Sequence, residues 1–144
     1  LRGRKDNGKA LQLLAEVGLG EFAACLPRQV SGGMAQRAAL SRALISEPQV
    51  LLLDEPLAAL DALTRLQMQD LLSQLVATTG VTIVLVTHDI DEALYLADRI
   101  VVLGERGQGI KRTFELNLPH PRDRKDAAVA SVRTELFSIF GIHA

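Results

Sequence analysis

Residues 50–53 form an unbroken apolar run, and two adjacent carboxylates, Asp54 and Glu55, follow it. A short run without polar alternation suits a strand covered on both faces. Such a strand delivers both carboxylates to the carboxyl edge of a sheet, where ligands sit in open α/β folds. There one carboxylate can hold the water shell of Mg²⁺, and the other can orient or deprotonate an attacking water. Taken alone, the same pattern fits a strand that ends in a solvated acidic turn. A second pattern is Ser31-Gly32-Gly33, just before an Ala- and Leu-rich segment. Two glycines let backbone N–H groups approach a ligand closely, a helix N-terminus adds partial positive charge, and Ser31 adds a hydroxyl. These features make a phosphate site without Lys; taken alone, they also describe a helix N-cap followed by glycines. Thr87-His88-Asp89 closes the apolar run 81–86. His88 at that edge can hydrogen-bond a terminal phosphate or a catalytic water, although a single His there is more often a surface residue. His120, His143 and Cys25 lack metal-ligand spacing.

One further match misleads. Gly3-Arg4-Lys5-Asp6-Asn7-Gly8-Lys9-Ala10 satisfies G-x-x-x-x-G-K, but Ala10 replaces the Mg²⁺-binding hydroxyl. Only Leu1 and Arg2 precede it, so no strand aims it, and it reads as a charged loop.

The elements that must hold these residues follow from periodicity and breakers. Residues 6–17 predict a short amphipathic helix, closed by Gly18 and Gly20. Pro27 and Gly32-Gly33 mark a loop, residues 34–46 predict a helix, and Pro48 stops it. Asp61 caps a long helix with apolar residues at Leu63, Leu66, Met68, Leu71, Leu72, Leu75 and Val76, ended by Gly80. Residues 81–86 and 100–103 predict strands, and Asp89 starts a helix between them. Residues 113–116 alternate like an edge strand. Residues 119–126 form a polar, Pro-broken linker, and residues 127–140 predict a terminal helix with Val129, Val132, Leu136 and Phe140 along one face. Alternating strands and helices imply α/β architecture with a largely parallel sheet.

Composition narrows the class. The 144 residues suffice for one domain, and 48% hydrophobic with 23% charged residues is ordinary for a globular chain. Lys+Arg number 16 and Asp+Glu 17, so no global basic field favours nucleic acid or an anionic membrane. The single Cys25 excludes an internal disulfide framework and fits a reducing compartment. No apolar run approaches the ~20 residues of a membrane span, and the first residues show no signal-peptide pattern.

Order and spacing then separate the alternatives. Val30-Ser31-Gly32-Gly33-Met34-Ala35-Gln36-Arg37 resembles the signature motif of ABC-transporter ATPases. Leu51-Leu52-Leu53-Asp54-Glu55-Pro56 resembles their Walker B strand. Leu57-Ala58-Ala59-Leu60-Asp61 resembles the D-loop, and Val86-Thr87-His88-Asp89 the H-loop. Val30 and Met34 depart from the usual Leu and Gln of the signature.

The resemblance covers roughly residues 1–118 and implies a partial P-loop NTPase (ABC ATPase) domain, α/β with a mostly parallel sheet, preceded by part of the helical subdomain. It divides the chain into 1–48 (helical subdomain and signature helix), 49–118 (Walker B, D-loop and H-loop core) and 119–144 (Pro-Arg linker and terminal helix). ATP and Mg²⁺ are the implied ligands. The resemblance implies that Asp54 supports Mg²⁺ through its water shell and Glu55 is the general base. His88 contacts the γ-phosphate, and Asp61 couples two nucleotide sites across a dimer. Ser31, Gly32 and Gly33 bind the γ-phosphate of ATP held by the opposite subunit. The implied partners are a second ATPase subunit, an integral membrane permease and, indirectly, a solute-binding protein, with no nucleic acid. The implied location is cytoplasmic, peripheral at the inner face of the cell membrane. The family's adenine-stacking aromatic, P-loop and Q-loop glutamine are not found in these residues, so the chain is expected to be a C-terminal piece that does not hydrolyse ATP alone. The tail Phe114-Glu115-Leu116-Asn117-Leu118-Pro119-His120-Pro121-Arg122 resembles the nitrate/sulfonate/taurine importer group, with aliphatic sulfonate or taurine favoured over nitrate. The alternatives are an ABC-type ATPase of DNA repair or chromosome maintenance and an inert fragment; residues 1–30 show no heptads of the coiled coil that the former requires.

Overall fold

The computed structural model of the chain describes residues 6–123 and 125–142. The described elements run α1 (Asp6–Glu16), α2 (Gly32–Leu44), β1 (Val50–Asp54), α3 (Ala62–Thr79), β2 (Thr82–Val86), α4 (Ile90–Leu96), β3 (Arg99–Leu103), β4 (Ile110–Glu115) and α5 (Ala127–Ile139). Two compact units divide the chain, residues 1–84 and 85–144.

In the first unit α1 lies against α2. The Arg37 Nη1 donates to the Val17 carbonyl at 3.3 Å, and the Ser41 hydroxyl to the Leu13 carbonyl at 3.3 Å. Gly8 and Lys9 sit inside α1, and Lys9 pairs with Glu47 at 2.5 Å. The G-x-x-x-x-G-K match is therefore not a charged loop where it is described: its second half is helix, and Gly3 to Lys5 fall outside the described residues. A phosphate cradle needs loop backbone there, whose N–H groups converge on the ligand. The longest helix, α3, begins and ends on local chemistry. Asp61 caps its N-terminus, and Gly80 closes it at φ +68°, donating its N–H to the Val76 carbonyl at 3.0 Å. That left-handed closure is the glycine C-cap.

Strands β1 and β2 pair across the α3 crossover, the arrangement of a parallel βαβ unit. Contrary to expectation, they are not covered on both faces. Leu51 is buried, whereas Val50 and Leu52 are 52% and 73% exposed, and Val84 and Val86 are about half exposed. The pattern is that of two-sided burial, but the described residues pack against one side only. The apolar stripe of α3 is likewise narrower than predicted: Met68, Leu72 and Leu75 are buried, while Leu63 and Leu66 face solvent.

The second unit closes its own core. Strands β3 and β4 pair antiparallel, with Ile100 opposite Phe114 and Val101 opposite Thr113, in a two-stranded sheet of their own, so the described strands do not form the one largely parallel sheet expected. Leu94, Ile100, Val102, Phe114, Leu116, Val129 and Leu136 form one buried cluster. Helix α5 thus contributes Val129 and Leu136, with Val132 packed beside them, but Phe140 is exposed. Ion pairs Arg133–Asp91 at 2.5 Å and Arg112–Glu135 at 2.8 Å hold α5 to α4 and β4.

The segment 119–126 is more than a polar connector. Its Arg122 side chain is 1% exposed. The guanidinium donates to the Leu94 carbonyl at 3.0 Å, the Leu116 carbonyl at 3.3 Å, the Ala97 carbonyl and the Asp98 carboxylate at 3.1 Å. Burial lowers its pKa from the ordinary arginine value, and Asp98 opposes that shift.

Candidate functional site

Helix α2 starts on Ser31, whose backbone is extended and whose hydroxyl accepts from the Met34 N–H at 3.3 Å. This is the N-cap geometry that Ser favours. Ser31 and Gly32 are exposed. The two glycines that follow differ in their surroundings. A Cβ built on Gly32 would meet nothing within 4 Å; one on Gly33 would come 2.6 Å from Thr64 Cγ2. Gly33 is therefore required by packing, because carbons in contact prefer roughly 3.5–4.0 Å. Gly32 leaves open space beside the first N–H groups of a helix, which is where an anion is stabilised.

Asp61 lies on the same structure. One of its carboxylate oxygens accepts from the Thr64 N–H at 3.0 Å, the other from the Thr64 hydroxyl at 2.6 Å. The Thr64 hydroxyl bond, reinforced by the backbone N–H, lowers the Asp61 pKa below the ordinary carboxylate value. The turn after β1 is tied to α2 as well, since the Gln36 amide donates to the Pro56 carbonyl. Asp54 ends β1 with an exposed side chain, and Glu55 follows with φ +46°. A non-glycine residue in the left-handed region is costly and clusters at functional sites. The first unit thus gathers Ser31, Gly32, Gly33 and Asp61 through Thr64, and links α2 to the residue after Glu55.

His88 belongs to the second unit. It is exposed in a turn held on both sides: the Thr87 hydroxyl donates to the buried Glu92 at 2.7 Å, and the Asp89 N–H donates to Thr87 Oγ1 at 3.0 Å. Asp89 caps α4 by accepting from the Asp91 and Glu92 N–H groups at 2.9 and 3.1 Å. His143 falls outside the described residues.

The donor set fits Mg²⁺ with ATP better than a closed protein metal site. Among the described residues no group of three His, Cys, Asp or Glu could hold a metal, and Asp54 offers an accessible carboxylate. Mg²⁺ keeps several waters and takes one or two carboxylates plus phosphate oxygens. Val30 and Met34, the departures from the signature pattern, both line an apolar groove with Leu14, Leu19 and Phe22. Two residues on which local structure depends, Thr64 beside the candidate site and Arg122 within the second unit, were not singled out from the sequence. Thr64 carried a signal, a hydroxyl three residues after the Asp61 cap. Arg122 carried none, because a single Arg among charged and Pro residues looks solvated.

The fold is α/β, and comparison with known proteins finds it similar to ABC-type domains. Residues 2–58 match the family model described as ABC transporter. The chain is 52% identical over 132 residues to an aliphatic sulfonates import ATP-binding protein of Pseudomonas syringae pv. syringae, covering 92% of this chain and 56% of that protein. It is 49% identical over 136 residues to the protein of the same description from Xanthomonas axonopodis pv. citri, covering 93% and 54%. A solved dimeric ATP-binding cassette in a post-hydrolysis state, bound to ADP and phosphate, superposes with a TM-score of 0.67 at 36% identity, covering 83% of this chain and 50% of that one. Over nearly its whole length the chain is similar to part of an ABC transporter ATP-binding protein. It spans about half the length of the curated relatives it matches.

Proposed function

We propose that the chain is the C-terminal, catalytic and dimer-facing portion of an ATP-hydrolysing subunit that powers import of an aliphatic sulfonate. The observation that carries this reading is the 52% identity, over nearly the whole chain, to a protein named for aliphatic sulfonate import. On this reading residues 1–118 are ATPase domain, with helical subdomain and signature helix in 1–48 and the core in 49–118; residues 119–144 are the linker and terminal helix.

Bound Mg·ATP supplies the phosphoryl group and the metal charge. Asp54 would hold the metal's water shell. Glu55 takes the proton of the attacking water, and the His88 imidazole hydrogen-bonds at the γ-phosphate. Ser31, Gly32 and Gly33 donate to the γ-phosphate of ATP on the opposite subunit, and Asp61 links the two sites. Positioning and charge stabilisation, rather than covalent chemistry, supply the rate. The partners are a second ATPase subunit and an integral membrane permease, with a solute-binding protein acting through the permease. The subunit works peripherally at the cytoplasmic face of the membrane; among the described residues no helix is long and apolar enough to cross one.

The β- and γ-phosphates depend on a P-loop for their main anchor. Calorimetric titration of this chain with Mg·ATP is therefore expected to show no binding at micromolar concentrations. The chain supplemented with a nucleotide-gripping half is expected to bind and hydrolyse ATP. Micromolar binding by the chain alone, or no hydrolysis by the completed dimer, contradicts the reading. Tight, salt-dependent DNA binding would favour the DNA-maintenance class instead.

A further inference from the structure

We propose that Thr64 is a positioning residue: its hydroxyl holds the Asp61 carboxylate, and its methyl takes the space that a Gly33 side chain would fill. The two contacts together register the N-terminus of α2 against the first turn of α3. The inference rests on the reading of Ser31, Gly32 and Gly33 as phosphate donors and of Asp61 as the link between nucleotide sites.

Three observations combine. First, Thr64 engages both carboxylate oxygens of Asp61, one through its N–H and one through its hydroxyl at 2.6 Å. Helix capping needs only the first bond, so the second is an additional constraint. Second, Thr is β-branched, so one χ1 torsion sets hydroxyl and methyl together. With the hydroxyl committed to Asp61, the direction of Cγ2 is set. Third, that Cγ2 lies 2.6 Å from where a Gly33 Cβ would stand, with Thr64 Cβ next at 3.8 Å and Leu60 Cδ2 at 3.9 Å. The backbone of α2 reaches α3 at this point because residue 33 has no side chain. Moving the Asp61 carboxylate turns Thr64, and turning Thr64 moves its methyl against the Gly33 backbone. A carboxylate that faces one nucleotide site is thereby connected to the N–H groups that face another.

Two substitutions separate the halves of the side chain: Thr64→Val keeps the shape without the hydroxyl, and Thr64→Ser keeps the hydroxyl without the methyl. In this chain, Gly33→Ala is expected to lower the melting temperature by about 5 °C or more, although Ala is the better helix former. Adding Thr64→Ser to Gly33→Ala should restore most of that loss. An unchanged melting temperature in Gly33→Ala, or no recovery in the double variant, overturns the contact. In a dimer completed with the nucleotide-gripping half, Thr64→Val is expected to lower kcat about tenfold and leave KM for ATP within about twofold. Thr64→Ser should recover most of kcat. A wild-type kcat in Thr64→Val overturns the positioning role. A completed wild-type dimer that hydrolyses no ATP overturns the functional reading beneath it, and the melting comparison, which needs no nucleotide, tells the two failures apart.

Discussion

Arg122 and the Ser31-Gly32-Gly33 turn are both polar, and they end in opposite states. The Arg122 guanidinium is buried and spends its donors on three carbonyls and a carboxylate within its own unit. The N-terminus of α2 is exposed, with open space over Gly32 and a non-glycine residue, Glu55, in left-handed conformation at the end of β1. A buried polar group whose two terminal nitrogens are both bonded by the fold, as Arg122 Nη1 and Nη2 are, is structural, although its buried Nε has no partner. On the proposed function, an exposed helix N-terminus with open space over Gly32 is where an anionic ligand would bind.

The largest expected effect falls on the closed region. Arg122→Ala removes the shared donor of three carbonyls and is expected to cost about 3 kcal/mol of stability, measured by urea unfolding of the chain. A loss within 0.5 kcal/mol, the range of ordinary surface changes, would erase the contrast. Next come the adjacent glycines, which should respond with opposite signs. Gly33→Ala is expected to destabilise by about 1–3 kcal/mol through overpacking against Thr64. Gly32→Ala, at an open helical position, should be neutral or stabilise by up to about 1 kcal/mol. Equal responses would show that both glycines serve packing. The smallest effect concerns pH. The Asp61 pKa is lowered in the folded chain, chiefly by the Thr64 hydroxyl. Its contribution to stability is therefore present above its unfolded value of roughly 3.9 and is lost as pH falls through the lower folded value. Thr64→Val should raise the Asp61 pKa and narrow that acid window, as followed by carboxyl NMR titration. An unmoved titration would show that the hydroxyl bond is not formed in solution.

Much of this was legible beforehand, for identifiable reasons. Caps announced themselves because Ser31, Asp61, Asp89 and Gly80 act within a few residues of their own positions. The α/β alternation was legible from apolar runs at β1 and β2 and helical spacing between them. Burial was not, because a run such as residues 50–53 records what a strand is suited to and not which surface arrives to cover it. Leu52, at 73% exposure, shows the difference. The anchoring of Arg122 depends on carbonyls 6 to 28 residues away, and no local pattern encodes such partners. In the candidate site, residue types suggest a phosphate-binding turn at Ser31-Gly32-Gly33, but only the folded structure separates Gly33, fixed by packing, from Gly32, which is open.

Glu55 offers the most direct test of the account. In an ATPase dimer completed with the nucleotide-gripping half, Glu55→Gln keeps the shape of the side chain and removes its basicity. Single-turnover hydrolysis is expected to slow ~100-fold or more, with Mg·ATP still bound. Hydrolysis at the wild-type rate would contradict the assignment of Glu55 as general base and the catalytic reading of the turn after β1.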